Sequence, residues 1–385
     1  MVVGGGMAGL QSLVALRAQG YAGHLTLVGV EPEPPYDRPP LSKAVLAGDI
    51  EDTTLDADWA ALDVTRLLGH RATGLPRPGV VETDAGELGY DGLVLATGAS
   101  PARLPGADAA VTLRTRADSL ALRARLTPGS RLVIVGAGWI GAEVATAAVR
   151  RGVHVTVVEA LGEPLAAALP VECGTRMLPW WADVDLRLGA VVDAVERDAV
   201  HLRGGQQLPA DVVLVAVGVR PETGWVAGTD VALTQRGAVA VDGALRTSAP
   251  GVFAVGDCAA WESPRYATRM HVEHWDNALH APTVAAANLL GGEARYDPVP
   301  YFWSEQWGRM VQYAGHHPAG DRVVWREGEQ DRWAAFWLAG DRLVAALTVD
   351  RPRDLMQARR LMVSARPVDA DLLADPAVAV KATGA

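Results

Sequence analysis

The sequence predicts an α/β chain built from two Rossmann-like dinucleotide-binding units followed by a small α+β domain. Three observations carry that expectation: a glycine fingerprint that occurs twice, an internal echo of strand-plus-turn segments, and a change of composition near residue 300. At 385 residues the chain has room for two to four compact units of about 100 to 200 residues each. Its 41 glycines exceed the usual share of about 7 % and ask for tight turns or phosphate loops.

Taken in chain order, Met1 to Val3 reads as a short strand leading into Gly4-x-Gly6-x-x-Gly9 and a helix from Leu10 to Gln19. One such fingerprint is weak, since glycine runs also close ordinary turns. His24 to Glu31 (HLTLVGVE) reads as the next strand, ending in the acid that a ribose-binding site needs about 20 residues on. Tyr90 to Pro101 is a buried strand that runs into a glycine turn at Gly98. Leu132 to Glu143 (LVIVGAGWIGAE) then repeats the fingerprint at Gly136, Gly138 and Gly141, each 132 residues after its counterpart. Repetition at matched spacing points to a shared physical demand: a tight turn, close backbone approach to a pyrophosphate, and helix-on-strand packing, with helix N–H groups left for the phosphates. His154 to Glu159 supplies the second strand with its terminal acid, making Glu159 the partner of Glu31. Ala210 to Pro221 echoes the earlier turn, so that Asp91, Ala96, Gly98 and Pro101 recur as Asp211, Ala216, Gly218 and Pro221.

Pro250 to Ala259 is a further apolar strand entering Gly256-Asp257, and Ala278 to Leu290 has helical composition. From about Pro300, tryptophans punctuate short alternating runs such as Arg332 to Leu338 and Arg342 to Val349. Asp350 to Met362 reads as a helix with Asp350 as its cap and Pro352 in its first turn. The second unit is expected over residues 104–226 and the C-terminal domain over 300–385.

The formal net charge of −10 argues against nucleic acid or anionic lipid as the main partner. No apolar window is long enough to cross a membrane. Cys173 and Cys258 fit neither a disulfide framework nor a CxxC motif, and the chain reads as cytoplasmic. The first glycine loop begins at Gly4, which leaves no room for a signal peptide. The first strand is short for a buried one, which leaves open whether the native start lies upstream of Met1.

Beyond the fingerprints, PYDRPPLSK (Pro35 to Lys43), Leu113-Arg114-Thr115, GAGWIGAE (Gly136 to Glu143), GVFAVGDCA (Gly251 to Ala259), VEHWDNA (Val272 to Ala278), YFWSEQ (Tyr301 to Gln306) and DRPRDLMQARRLM (Asp350 to Met362) resemble the FAD-dependent NADH:ferredoxin reductases that serve cytochrome P450 and aromatic dioxygenase systems. The resemblance covers essentially the whole chain. It implies a glutathione-reductase-like fold in which an FAD domain (1–103 and 227–299) is interrupted by the NAD domain. It also implies that Gly4, Gly6, Gly9, Glu31, Arg38, Lys43, Arg114, Asp257 and Trp275 line the FAD site, with Trp303 as a flavin neighbour and Trp275 acting through its backbone N–H. Gly136, Gly138, Gly141, Glu159 and Gly218 fall to the NAD site. Lys43 and Glu143 are expected as an ion pair beside the reactive flavin edge, tuning its electrostatics while the flavin carries the hydride chemistry.

Related disulfide reductases carry a dithiol where this chain reads PPLSKAVL, so electrons are expected to leave the flavin directly to an external acceptor. No iron–sulfur ligand spacing gives the chain a cluster of its own. Glu159 should bind the adenosine ribose and repel a 2′-phosphate, and Ala160 to Glu163 offer no cation, so NADH is favoured over NADPH. The expected acceptor is a [2Fe–2S] ferredoxin serving a cytochrome P450 or Rieske-type oxygenase. Its acidic surface would meet Arg351, Arg353, Arg359, Arg360 and Arg366, which stand against the single acid Asp354. Rival readings are a rubredoxin reductase, an NADH oxidase or quinone reductase, and a nucleotide-responsive flavoprotein similar to the apoptosis-inducing flavoproteins. Trp180 and Trp181 have no functional account at this level.

Overall fold

The computed structural model describes residues 1–384. Two parallel sheets form its frame. The first runs Val252–Ala254, Leu93–Leu95, Val2–Val3, Leu25–Gly29, Val64–Leu68, every neighbour parallel. All but its edge strand Val64–Leu68 are buried throughout, as parallel sheets covered by helices require. One of these helices is Met7–Ala18, which packs along Trp275–Leu289. The outer strand Val252–Ala254 comes from late in the chain, so the chain returns to the first unit after building the second. The second sheet repeats the plan as Asp185–Arg187, His154–Val158, Arg131–Val135, Val212–Val215, with helix Trp139–Arg150. Each unit adds an antiparallel three-stranded sheet, Ala72–Arg77, Val80–Thr83, Gly86–Gly89 in the first and Val192–Val195, Ala199–Leu202, Gln207–Pro209 in the second.

The internal echo has a structural meaning. Ala99–Pro101 and Val219–Pro221, the tails of the two repeated segments, pair antiparallel with each other, so the chain's two crossings between units lie side by side. The C-terminal domain is a five-stranded antiparallel sheet ordered Tyr301–Gln306, Arg309–Gly315, Arg342–Val349, Trp333–Ala339, Arg322–Glu327, with helix Pro352–Ser364 against it. It does not stand apart. Val311, Tyr313, Trp333 and Leu347 share one buried cluster with Leu132, Ile134 and Val157 of the second unit. Trp180 and Trp181 lie in that seam: the Trp181 ring sits 5.1 Å from Trp307, and the Arg309 guanidinium lies 5.1 Å over Trp180. They seat the C-terminal domain on the second unit. Trp307 and Trp325 are packing residues, Trp325 lying 5.6 Å from Trp333.

Three helix boundaries differ from the sequence reading. The first helix starts at Met7 rather than Leu10, because Gly9 lies inside it, packed on the loop. The helix expected from Ala278 starts at Trp275 and tolerates Pro282. Asp350 does not cap the last long helix: its backbone is left-handed (φ 53°) and its carboxylate accepts the Met310 N–H at 2.8 Å, closing a strand junction. Arg351 is the N-cap, with Pro352 in the first turn as expected.

Candidate functional site

The two glycine loops open into one cavity of about 1800 Å³, walled by both parallel units and by the C-terminal strand Tyr301–Gln306. The two loops make the same close approaches at corresponding glycines. A Cβ on Gly4 would lie 2.0 Å from the Ala96 carbonyl oxygen, and one on Gly136 would lie 2.5 Å from that of Ala216, the residues that recur in the echo. Gly9 and Gly141 press equally close on the carbonyls of Gly4 and Gly136 (1.8 and 2.1 Å). Side chains are excluded there by backbone, which is the packing demand of a tight dinucleotide turn. Gly6 and Gly138 face open space and are the N-caps of twelve-residue helices that no side chain caps. The first-turn N–H groups of both helices are thereby left for an anion, and the fit to two pyrophosphates is direct.

At the first loop, the strand Leu25–Gly29 ends just before Glu31. Glu31 accepts hydrogen bonds from the Tyr36 hydroxyl and from Arg38 (Nη2, 2.5 Å). Arg38 also donates to the Arg114 carbonyl at 2.8 Å. Burial pushes the Tyr36 phenol up to about 12, so it remains a donor to the carboxylate. Thr115 and Asp118 form a capping box at helix Arg116–Arg125, and Asp118 also accepts the Arg114 N–H, fixing where that side chain starts. Arg114 then reaches Asp257 at 2.9 Å. Asp257 sits on the Gly256–Cys258 turn, which is pressed against the first helix: a Cβ on Gly256 would meet the Ala8 Cβ at 3.0 Å. Trp275 opens its helix and packs edge-on against Trp303 at 5.7 Å. Its indole N–H donates to Asp37 at 2.7 Å, a polar side-chain contact beyond the backbone N–H and packing expected of it. His274, the N-cap before it, is half-buried with its ring 4.8 Å from Phe302, and desolvation lowers its imidazole to about 4, leaving it neutral.

Lys43 and Glu143 meet. Pro39 and Pro40 start the tight turn Pro39–Ser42, which turns the chain at Lys43 into helix Ala44–Ala47. The Lys43 ammonium lies 2.8 Å from Glu143 Oε2 and also donates to the Pro39 carbonyl at 3.1 Å. Glu143, on helix Trp139–Arg150, is only 4 % exposed. It accepts two further bonds, from Ser42 Oγ and Ser304 Oγ, each at 2.5 Å. Neither serine was singled out from sequence, although both lie inside the motifs PPLSK and YFWSEQ. They stand 101 and 161 residues from Glu143, and no spacing rule links them.

Glu159 closes the second loop: its two carboxylate oxygens accept the N–H groups of Ala137 (2.8 Å) and Leu161 (2.9 Å). Arg187, whose carbonyl takes the Glu159 N–H, spends its guanidinium on Asp185 at 2.7 Å. Gly218 lines the same cavity with a left-handed backbone (φ 104°) and open space where a side chain would stand. Cys173 and Cys258 are buried in different units. Burial pushes the Cys173 thiol up to about 12 and raises that of Cys258, which makes both poor nucleophiles. The expected surface of arginines is thinner than the sequence count. Arg351 is tied to Asp354 (2.6 Å), and Arg359 is tied to Asp276 (2.9 Å) while lying over the Tyr301 ring. Arg353, Arg360 and Arg366 are exposed, interleaved with exposed Met356 and Val363.

With this geometry in place, comparison with known proteins is specific. A family model described as pyridine nucleotide-disulphide oxidoreductase matches residues 1–281, and one described as reductase C-terminal matches residues 301–384. Over 99 % of its length the chain is 35 % identical to putidaredoxin reductase of Pseudomonas putida, covering 95 % of that protein. It is 36 % identical to the ferredoxin–NAD(+) reductase component of the anthranilate 1,2-dioxygenase system of Burkholderia cepacia, with 99 % of this chain and 98 % of that protein covered. Among solved structures it superposes on Fdr9 with a TM-score of 0.94 at 48 % identity, with 98 % of each chain covered. On the covalent putidaredoxin reductase–putidaredoxin complex the TM-score is 0.93 at 33 % identity, with 99 % of this chain and 96 % of that chain covered.

Proposed function

The chain belongs to the pyridine nucleotide-disulphide oxidoreductase family, and on that premise we propose that it is an FAD-dependent oxidoreductase that carries electrons from NADH to a [2Fe–2S] ferredoxin serving a cytochrome P450 or Rieske-type oxygenase. The observation that carries the reading is one cavity that holds two glycine loops of corresponding geometry, each opening an uncapped helix N-terminus, with no thiol in its lining. Two dinucleotides can thus meet end to end, while the electrons have no protein dithiol to enter. When bound, FAD supplies the conversion of a two-electron hydride donor into single-electron transfers.

The residues divide accordingly. Gly4, Gly6 and Gly9 receive the FAD pyrophosphate, and Glu31 takes the ribose hydroxyls, oriented by Tyr36 and Arg38. Arg114 and Asp257 form a charge pair lining the flavin half, closed by Trp275 and Trp303. Gly136, Gly138, Gly141 and Gly218 shape the NAD half, where the Glu159 carboxylate disfavours a 2′-phosphate and no free cation stands on Ala160 to Glu163 to offset it. Lys43, held by Glu143, presents a fixed ammonium at the cavity wall and stabilises negative charge that develops there. The same reading divides the chain into residues 1–103 with 227–299 for FAD, 104–226 for NAD and 300–385 for the acceptor side, in a cytoplasmic setting. The ferredoxin docks on exposed Arg353 and Arg360, with Met356 and Val363 as apolar contacts between them.

The test is an anaerobic titration of the purified flavoprotein. Bleaching of the visible flavin band by NADH at a concentration at least tenfold below that needed with NADPH is expected, followed by re-oxidation on addition of a [2Fe–2S] ferredoxin. Bleaching by neither nucleotide, or re-oxidation by oxygen at the same rate with and without ferredoxin, overturns the reading.

A further inference from the structure

Three segments remote in sequence converge on the buried Glu143 carboxylate. Oε2 pairs with the Lys43 ammonium (Nζ at 2.8 Å) and accepts from Ser42 Oγ (2.5 Å), both on the turn from the first unit. Oε1 accepts from Ser304 Oγ (2.5 Å), on the C-terminal strand Tyr301–Gln306, and among the described residues Ser304 is its one hydrogen-bond donor. The contact is built into the periodicities of the two elements. Residues i and i+2 of a strand share a face, as do i and i+4 of a helix. Phe302 and Ser304 therefore meet Trp139 and Glu143 as a pair, Phe302 edge-on to Trp139 at 4.8 Å and Ser304 on the carboxylate. A serine hydroxyl has one proton, and here it points at Glu143; the Gln306 amide, 3.5 Å away, is on the acceptor side of Ser304 Oγ.

Resting on the oxidoreductase reading above, we infer that Ser304 is a positioning residue for electron entry from NADH: by anchoring Glu143 Oε1 it fixes the carboxylate that holds Lys43, and it makes that geometry depend on how the C-terminal domain is seated. The two serines are not equivalent. Removing Ser42 leaves Oε2 with the ammonium. Removing Ser304 leaves a buried carboxylate oxygen with no donor, which the side chain relieves by rotating and taking Lys43 with it. Within the contact between the C-terminal domain and the second unit, this hydroxyl is the link that reaches the Glu143 carboxylate.

The experiment compares Ser304→Ala, Ser304→Thr and Ser42→Ala by stopped-flow bleaching of the FAD-loaded protein with NADH, together with FAD content and the NADH dissociation constant. Ser304→Ala should lower the limiting bleaching rate about tenfold with FAD content and NADH affinity within about twofold, Ser42→Ala should lower it less than about threefold, and Ser304→Thr should restore it. In a Glu143→Gln background, Ser304→Ala should add no more than about twofold, because its effect runs through that carboxylate. A second readout needs no turnover: in the FAD-free protein, the infrared carboxylate band abolished by Glu143→Gln should shift in Ser304→Ala. Should Ser304→Ala fail to hold FAD, Ser304→Cys, close in volume and a weaker donor, is read by the same rates. An unchanged rate, or a full tenfold loss that persists in the Glu143→Gln background, overturns the role of Ser304. Failure of NADH to bleach the unsubstituted protein overturns the oxidoreductase reading instead.

Discussion

At the scale of single residues, the site works by leaving some groups satisfied and others free. Glu31, Glu143 and Glu159 each accept at least two hydrogen bonds, so their carboxylates stand in fixed orientations before any ligand arrives. Lys43 is the residue whose loss is most costly, because Ala in its place leaves Glu143 buried with serine hydroxyls alone. Breaking such a pair by removing one partner costs about 3–5 kcal/mol. Lys43→Ala is expected to slow flavin bleaching by NADH at least about tenfold in a stopped-flow measurement, and an unchanged rate would remove Lys43 from the site. Motif reading found Lys43 and Glu143 but not Ser42 and Ser304. A lysine that is one of only two in the chain stands out in a sequence, whereas a serine hydroxyl becomes significant only through the atom that it faces.

Among elements, the helix that follows each glycine loop decides what the loop can bind. Each starts directly after the second glycine, and the third lies one turn inside, against the first. Gly9→Ala would put a methyl 1.8 Å from the Gly4 carbonyl oxygen and force the helix off the loop. Overpacking of this kind costs about 1–3 kcal/mol. The variant should therefore purify with substoichiometric flavin and regain it only at raised FAD concentration, as measured by the ratio of flavin to protein absorbance. Full occupancy without added FAD would count against the first loop as the flavin site. The fingerprints and terminal acids were legible because they are local. The first helix starts earlier than its motif suggests because the third glycine belongs to the helix and not to the loop. The true cap of Pro352–Ser364 was hidden because Asp350 is committed to Met310 across a strand junction, a contact made only in three dimensions.

For the whole molecule, charge is distributed unevenly. A chain of net charge −10 exposes Arg353 and Arg360 on the C-terminal helix while tying down Arg351 and Arg359. Attraction between these two cations and an acidic partner is the contribution expected of them to docking, and it fades as salt shortens the Debye length to about 10 Å at 0.1 M. The double substitution Arg353→Glu with Arg360→Glu should raise the KM for a [2Fe–2S] ferredoxin about tenfold at low ionic strength, converge with the unsubstituted protein at high salt, and leave NADH-driven reduction of a small acceptor unaffected. Equal KM values at low salt would move the docking surface elsewhere. The shared core of the second unit and the C-terminal sheet, plugged by Trp180 and Trp181, keeps this face in fixed register with the cavity.

By itself the sequence determined the two dinucleotide units, their phosphate loops, their terminal acids and the absence of a dithiol at PPLSKAVL. These depend on residues close together in the chain, where backbone geometry imposes the spacing. Only the tertiary structure decided that the two echoed turns pair with each other, which arginines remain free, what the paired tryptophans do, and that Ser42, Lys43, Glu143 and Ser304 form one cluster. Those features, the local Arg351–Asp354 pair apart, arise where the first unit, the second unit and the C-terminal domain touch. Contacts between segments more than 100 residues apart are set by how the sheets pack, and leave no periodic trace in the sequence.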